Sequence, residues 1–290
     1  MKKKERLAIR KTYKNFVDGK FIRTESGRYY ELKTTSEDFI ANICQSSRKD
    51  FRDAVITARK GQSQWAERTA YNRGQILYRI AEIMETQQSK LIDELVLQGA
   101  NERIEAEAEF KNAVDRTIYY AGWADKYCQL FSSVNPVSTS HFNFSVPEPS
   151  GVLSIIAPEN NSLLGLISTI IPLIVSGNTV VVLASQSKPL CATSFAEILN
   201  NSDVPSGVVN ILTGIRSELI SHFSSHMDVN AMLYCGDDVK ERKIIQENAS
   251  QNLKRIIFKD LIDWTTADAS SPYNIMDAVE IKTTWHPIGL

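Results

Sequence analysis

The sequence predicts an α/β fold: a doubly wound parallel sheet, with helices before it and a β arm beside it. Three observations carry this. Five short apolar runs between residues 152 and 258 alternate with helical patterns, which is the signature of parallel strands joined by crossover helices. From about Asp50 to Phe131 the apolar spacing is helical, as in Ile76, Leu77, Ile80 and Met84. Two further stretches, "HFNFSV" and "AVEIKTTW", alternate with the period of two that marks strands.

In chain order, "NFVDGKFI" is a hairpin signal, with Asp18-Gly19 suited to a type I′ turn. The helical region closes with "NERIEAEAEFKNAVDRTIYYAGWADKYCQLF", one long amphipathic helix whose charged faces are expected to be solvated. At Val134 the texture changes. "HFNFSV" runs out, "PEPSG" turns, and "VLSII" returns, which predicts a long hairpin from His141 to Ile156. Strands then fall at 152–156, 179–183, 208–212, 231–234 and 255–258. The helices between them fall near 162–175, 189–200, 217–224 and 239–251. Residues 261–277 have weak pattern. The chain closes on a half-buried strand with Val279, Ile281, Thr283 and Trp285 on one face. The divisions are therefore 1–133 for the hairpin and helices, 134–150 for the arm hairpin, 151–260 for the five-strand sheet, 261–277 for a linker and 278–290 for the terminal strand.

The totals exclude several classes. At 290 residues, 43% apolar and 23% charged, the composition is that of a globular protein. A net charge of -1 gives a polyanion no reason to bind, so no nucleic acid is expected. The basic start, "MKKKERLAIRKTYK", reads as a solvated arm. The longest apolar run, "LLGLISTIIPLIV", is too short for a membrane span and contains Pro172. Cys44, Cys128, Cys191 and Cys235 are scattered without metal or redox spacing, which predicts reduced thiols and a cytoplasmic setting.

The ordered series of motifs resembles the aldehyde dehydrogenase superfamily. "YKNFVDGKF" is similar to its opening hairpin, and "AVITARKGQSQW" with "NRGQILYRIAEIME" to its first helices. "PSGVLSIIAPENN" resembles P-x-G-V-x-x-x-I-x-P-W-N, and "SGNTVVVLASQSKPLCA" resembles A-G-N-T-V-V-x-K-P-S-E-x-x-P-x-x-A. "VPSGVVNILTG", "SSHMDVNAMLYCGDD" and "VEIKTTW" continue the family order. The resemblance implies a Rossmann-like sheet, a cofactor of the NAD type, and oligomers formed through the arm. The positions it sets beside that cofactor are Ile156, Ala157, Pro158, Ser185, Gln186, Gly214 and Gly236.

The departures matter as much. The family's ribose-holding Lys and Glu fall at Leu183 and Gln186, the second glycine of its G-x-G turn at Arg216, and its pyrophosphate-side serine at Asp237. Its general-base glutamate falls at Lys259, and "KDLIDW" replaces the glycine turn that follows. Where the family inserts a catalytic domain with its nucleophilic Cys, only residues 261–277 precede the terminal strand. No cofactor is therefore expected, or NAD or NADP only weakly.

Four features invite a functional reading, and each has a plainer one. Asn160 matches the family's oxyanion donor, but without a nucleophile it reads as a cap for the helix near Ser162. Cys235 at a strand end reads as a buried inert thiol. His222 and His226 stand at i and i+4 but lack the glutamate of HExxH and a third metal ligand, so no metal is expected. Asp238 with Glu241 reads as a capping box that puts a carboxylate where an anion would sit, while Asp237 would repel a phosphate. The resulting expectation is a non-catalytic family member that assembles with a full-length paralogue through Ala278 to Trp285 and the 141–156 hairpin. The alternatives are a divergent NAD(P)-dependent enzyme and a nucleotide-binding module without catalysis.

Overall fold

The computed structural model describes residues 13–34, 36–99 and 102–289, so most of the basic start lies outside the described residues. Seven strands form the central sheet: β1 (Asn15–Val17), β2 (Lys20–Ile22), β7 (Val152–Ile156), β8 (Thr179–Leu183), β9 (Val209–Leu212), β10 (Ala231–Cys235) and β11 (Arg255–Lys259). They lie in the order β11-β10-β7-β8-β9-β1-β2. The five strands expected from the sequence are all present and mutually parallel. Every residue of β7, β8, β9 and β10 is buried, as strands covered by helices on both faces must be.

The β1–β2 hairpin forms on its Asp-Gly turn, with Asp18 at φ 56 and Gly19 at φ 69. What the sequence did not show is that β1 then pairs antiparallel with β9 and extends the sheet. Nor did it show β3 (Tyr29–Lys33) and β4 (Phe39–Cys44), which form a separate two-stranded sheet. The β1–β9 pairing depends on a partner far away in sequence.

The helical region divides into α1 (Arg48–Ala66), α2 (Ala70–Thr86), α3 (Gln88–Leu97), α4 (Arg103–Trp123) and α5 (Tyr127–Phe131). The single helix expected after residue 101 is thus two. Later come α6 (Leu164–Val175), α7 (Leu190–Asn200), α8 (Arg216–Ser225), α9 (Val239–Ala249) and α10 (Tyr273–Met276). α6 is buried along its whole length and packs with α2, α3, α4 and α7 into one core. α1, α8 and α9 cover the other face of the sheet around a second core.

The expectation that the charged faces of the helix after residue 101 are solvated is corrected at Glu109 and Arg116, both buried, as are Arg73 and Glu94 on the helices before it. Glu109 Oε1 accepts from the N–H groups of Leu163 and Leu164 at 2.9 and 3.1 Å, so a carboxylate from α4 satisfies the start of α6. Arg116 donates to Ser168 Oγ and to the carbonyls of Trp264 and Ala269, at 2.8 to 2.9 Å. That contact docks residues 261–277, which are packed rather than patternless: Ile275 is fully buried and Trp264 nearly so. Tyr120 adds a bond to Ser271 O, and Lys259 bonds both Asn274 and Asp277.

The arm also departs from the expected hairpin. β6 (His141–Pro149) does not fold back on β7. It pairs with β5 (Ser133–Asn135) and, along its whole length, with the terminal strand β12 (Val279–Pro287). "PEPSG" is a kink that sends the chain from the arm into the core sheet. Gly151 takes φ +125 there, and a Cβ on it would run into the Asn230 side chain. β12 is an edge strand, and the expectation that it is half-buried fails too. Only Val279 is buried within the chain, while Ile281 and Trp285 are 51% and 57% exposed.

Candidate functional site

The strand order places β8 on one side of β7 and β10 on the other, so the order of connection across the sheet reverses between β7 and β10. At such a switch point the loops leaving the carboxyl ends diverge and open a crevice, the usual ligand position in open α/β sheets. Here it is a cleft of about 320 Å³. Pro158, Glu159 and Asn160 line it from the loop after β7, and Gly236, Asp237 and Asp238 from the loop after β10. Arg216 and Lys259 flank it.

Glu159 dominates this cleft. Its carboxylate accepts from Ser185 Oγ at 2.7 Å, Gln186 N at 2.9 Å and Ser187 N at 3.1 Å, and also from Ser187 Oγ. Burial alone would push its pKa up, but the hydrogen bonds from Ser187, Gln186 and Ser185 outweigh that and hold it below the ordinary 4.5. A carboxylate carried by the chain itself thus saturates the loop after β8. The loop is held from its other side as well. Tyr30 of β3 donates to Gln186 O at 3.1 Å, and Gln186 Oε1 accepts from Arg216 N at 2.9 Å.

The β10 side is braced in the same way. Arg216 pairs through Nε with Glu241 Oε2 at 2.8 Å, sets its Cζ over the Tyr234 ring at 4.7 Å, and donates from Nη2 to Cys235 O at 3.2 Å. Tyr234 donates its hydroxyl to the same Glu241 oxygen at 2.6 Å. Lys259 pairs with Asp277 at 2.8 Å, turning the end of β11 toward the docked 261–277 segment. A second cavity of about 320 Å³ lies under that segment, against α6, and Lys259 and Trp264 line both.

The sequence-derived residues distribute unevenly. Pro158, Asn160 and Gly236 line the cleft. Ser185 and Gln186 sit beside it, tied to Glu159. Ile156 and Ala157 are buried beneath it. Gly214 does not line it, since a Cβ there would meet Leu219 and Ser46 instead. Asn160 is not a helix cap: α6 starts at Leu164 without a side-chain cap, and Glu109 takes its free N–H groups. Asp238 does cap α9, accepting from Lys240 N and Glu241 N at 2.7 and 3.0 Å. The capping box is incomplete, because Glu241 is drawn away to Arg216 and Tyr234. Cys235 is buried, which pushes its thiol up to about 12, beyond the downward pull of Arg216 and Lys259.

Sequence reasoning missed Glu159, Arg216 as a brace, Glu109 and Arg116. One signal for Glu159 was available: a lone carboxylate directly past the first core strand, at the position where the family motif carries Trp. Three side chains bear on the cofactor that the resemblance implies. Glu159 ties down the loop after β8, Asp237 adds negative charge beside Gly236, and Arg216 stands where a Cβ on Gly236 would be.

Comparison with known proteins places this geometry. The model of the aldehyde dehydrogenase family matches residues 21–259. An aldehyde dehydrogenase of Aspergillus niger is 30% identical over 243 residues, covering 83% of this chain and 48% of that protein. Another, from Emericella nidulans, is 27% identical over 279 residues, covering 95% of this chain and 54% of its own length. Among solved structures, the NAD+ complex of aldehyde dehydrogenase from Bacillus cereus superposes with a TM-score of 0.81 at 24% identity, over 86% of this chain and 51% of that one. HpcC from Thermus thermophilus gives a TM-score of 0.81 at 26% identity, over 86% of this chain and 48% of that one. The chain spans about half the length of the curated relatives it matches.

Proposed function

This chain belongs to the aldehyde dehydrogenase family, and within it we propose a non-catalytic member, a structural or regulatory subunit that assembles with a complete paralogue. The observation that carries the reading is Glu159: its carboxylate occupies, with four hydrogen bonds, the loop that would receive the nucleotide's ribose. The rest of the crevice supports it. Arg216, Glu241 and Tyr234 satisfy one another across the β10 side, and the Lys259–Asp277 pair stands where the general base would. Catalysis in this family's manner needs a nucleophile and a base within reach of one substrate. The buried, unreactive Cys235 supplies neither.

Assembly follows from the arm. β12 offers one open edge and an exposed Ile281–Trp285 stripe, and an uncovered apolar edge strand invites pairing. A full-length subunit would bring a catalytic sheet to receive it, and the described residues of this chain form no such sheet.

The test is calorimetric titration of NAD+ into the purified chain, with an aldehyde turnover assay beside it. No isotherm up to about 1 mM and no NADH above a protein-free control are expected. Glu159→Gly combined with Asp237→Ser should bring measurable affinity to the same scaffold. Micromolar binding by the native chain would favour a nucleotide-binding module, and turnover abolished by thiol blocking would favour a divergent enzyme. For assembly, Ile281→Lys with Trp285→Lys leaves the buried Ala278 and Val279 in place. Unchanged capture of a full-length paralogue by that variant would remove β12 as the contact.

A further inference from the structure

Away from the crevice, and sharing no lining residue with it, a cavity of about 520 Å³ opens between the first turns of α1 and the end of α8. Arg48 and Arg52 enter it from α1, and Ser221, His222, Ser225 and His226 from α8 and its exit. Its floor is Phe51, stacked on Phe223 with ring centroids 3.9 Å apart. This gathers one kind of chemistry. The Arg48 guanidinium makes no hydrogen bond or ion pair among the described residues. Arg52 holds only Asp53, its chain neighbour, at the half-exposed surface. Behind them the buried Lys254 ammonium donates to Ser224 O and His226 O at 2.6 and 3.0 Å. The acids facing the group are Asp53, already on Arg52, and Asp228 beside His226. Cations outnumber anions before either histidine is counted.

The imidazoles register that field. Burial, then Arg48, lowers the pKa of His222. Burial lowers that of His226 too, helped by Lys254, Arg48 and Arg52 and opposed by Asp228. His226 Nδ1 accepts the Asp228 N–H at 3.2 Å, so the proton of its neutral ring sits on Nε2, which becomes a donor. Three nearby cations and one occupied ring nitrogen disfavour a divalent metal on the His222–His226 pair. They suit an oxyanion, which guanidinium groups bind through paired N–H donors.

We propose that the Arg48–His226 cavity is a binding site for a small phosphorylated organic molecule, its phosphoryl group held by Arg48 and Arg52 with imidazole and serine donors around it. The volume exceeds the needs of bare phosphate and lies in the range of small-molecule pockets. The apolar remainder would rest against Phe51 and Met227.

Phenyl phosphate, inorganic phosphate and benzoate, each titrated into the full chain at constant ionic strength, test this. Saturable binding of phenyl phosphate is expected, tighter than inorganic phosphate and tighter than benzoate, with the His222 and His226 C2–H resonances shifting on addition. Arg48→Ala should weaken it about tenfold or more. Lys49→Ala, one residue along and paired with Glu25 at 2.6 Å, should leave it unchanged. Absence of saturation up to about 10 mM, or equal affinity in Arg48→Ala that still folds by circular dichroism, would overturn the proposal. Capture by phosphatidic acid vesicles without any binding of phenyl phosphate would overturn the assignment to a small molecule.

Discussion

The crevice at the ends of β7–β11 and the cavity between α1 and α8 are built from similar charged side chains, yet only in the first are both cations paired to an acid brought from elsewhere in the chain. In the crevice Glu159 meets four donors, Arg216 meets Glu241, and Lys259 meets Asp277, all within the same chain. In the cavity Arg48 has met no partner among the described residues, and two histidines are held toward neutrality first by burial and then by the nearby cations. Charges paired inside the chain are already compensated, while a cation without a partner keeps its full field.

The largest expected effect tests how firmly the crevice side is closed. Arg116→Met removes the guanidinium that donates to Ser168, Trp264 and Ala269, leaving buried acceptors bare. A loss of about 3–5 kcal/mol is expected from urea unfolding, with residues 261–277 becoming protease-sensitive first. A loss under about 1 kcal/mol would show that the segment is held by Ile275 and Trp264 alone.

Glu159→Gln comes next, at about 1–3 kcal/mol at neutral pH, because the charge-assisted bonds weaken and one amide N–H faces donors. Its pH dependence sharpens the point. The folded pKa lies below the unfolded value, so the contribution of Glu159 is fully present above the ordinary 4.5 and is lost as pH falls through the folded value. The stability gap between native and variant proteins should be flat above about pH 5 and narrow below it. A gap that stays constant into acid would mean the carboxylate is not held ionised.

The smallest effect is a control. Lys49→Ala breaks only the surface pair with Glu25 and should cost less than about 0.5 kcal/mol. A larger loss would mean that the charges around the α1 cavity serve the fold rather than a ligand.

Much of the architecture was legible because it rests on local pattern. β7 and β8 fall on the expected residues, since a short, mostly apolar run rich in Val and Ile between turn signals reads as a buried strand. The Asp18-Gly19 turn was legible for the same reason, two positive φ values that Asp-Gly tolerates. Of the residues singled out from the sequence, Pro158, Asn160 and Gly236 line one cleft.

The rest needed distant partners. Whether β6 pairs with β7 or β12 depends on a strand more than a hundred positions away, and alternation reports only that a strand exists. Whether Glu109 or Arg116 is solvated depends on what lies opposite α4. Helical periodicity cannot reveal a buried helix start or the bare carbonyls there. The sequence by itself determined the strands, the crossover helices and the positions where the family's charges are missing. The tertiary structure alone decided that Glu159 ties down the loop after β8 and that Arg48 comes to lie beside two histidines, because electrostatic partnership is set by distance in space and not along the chain.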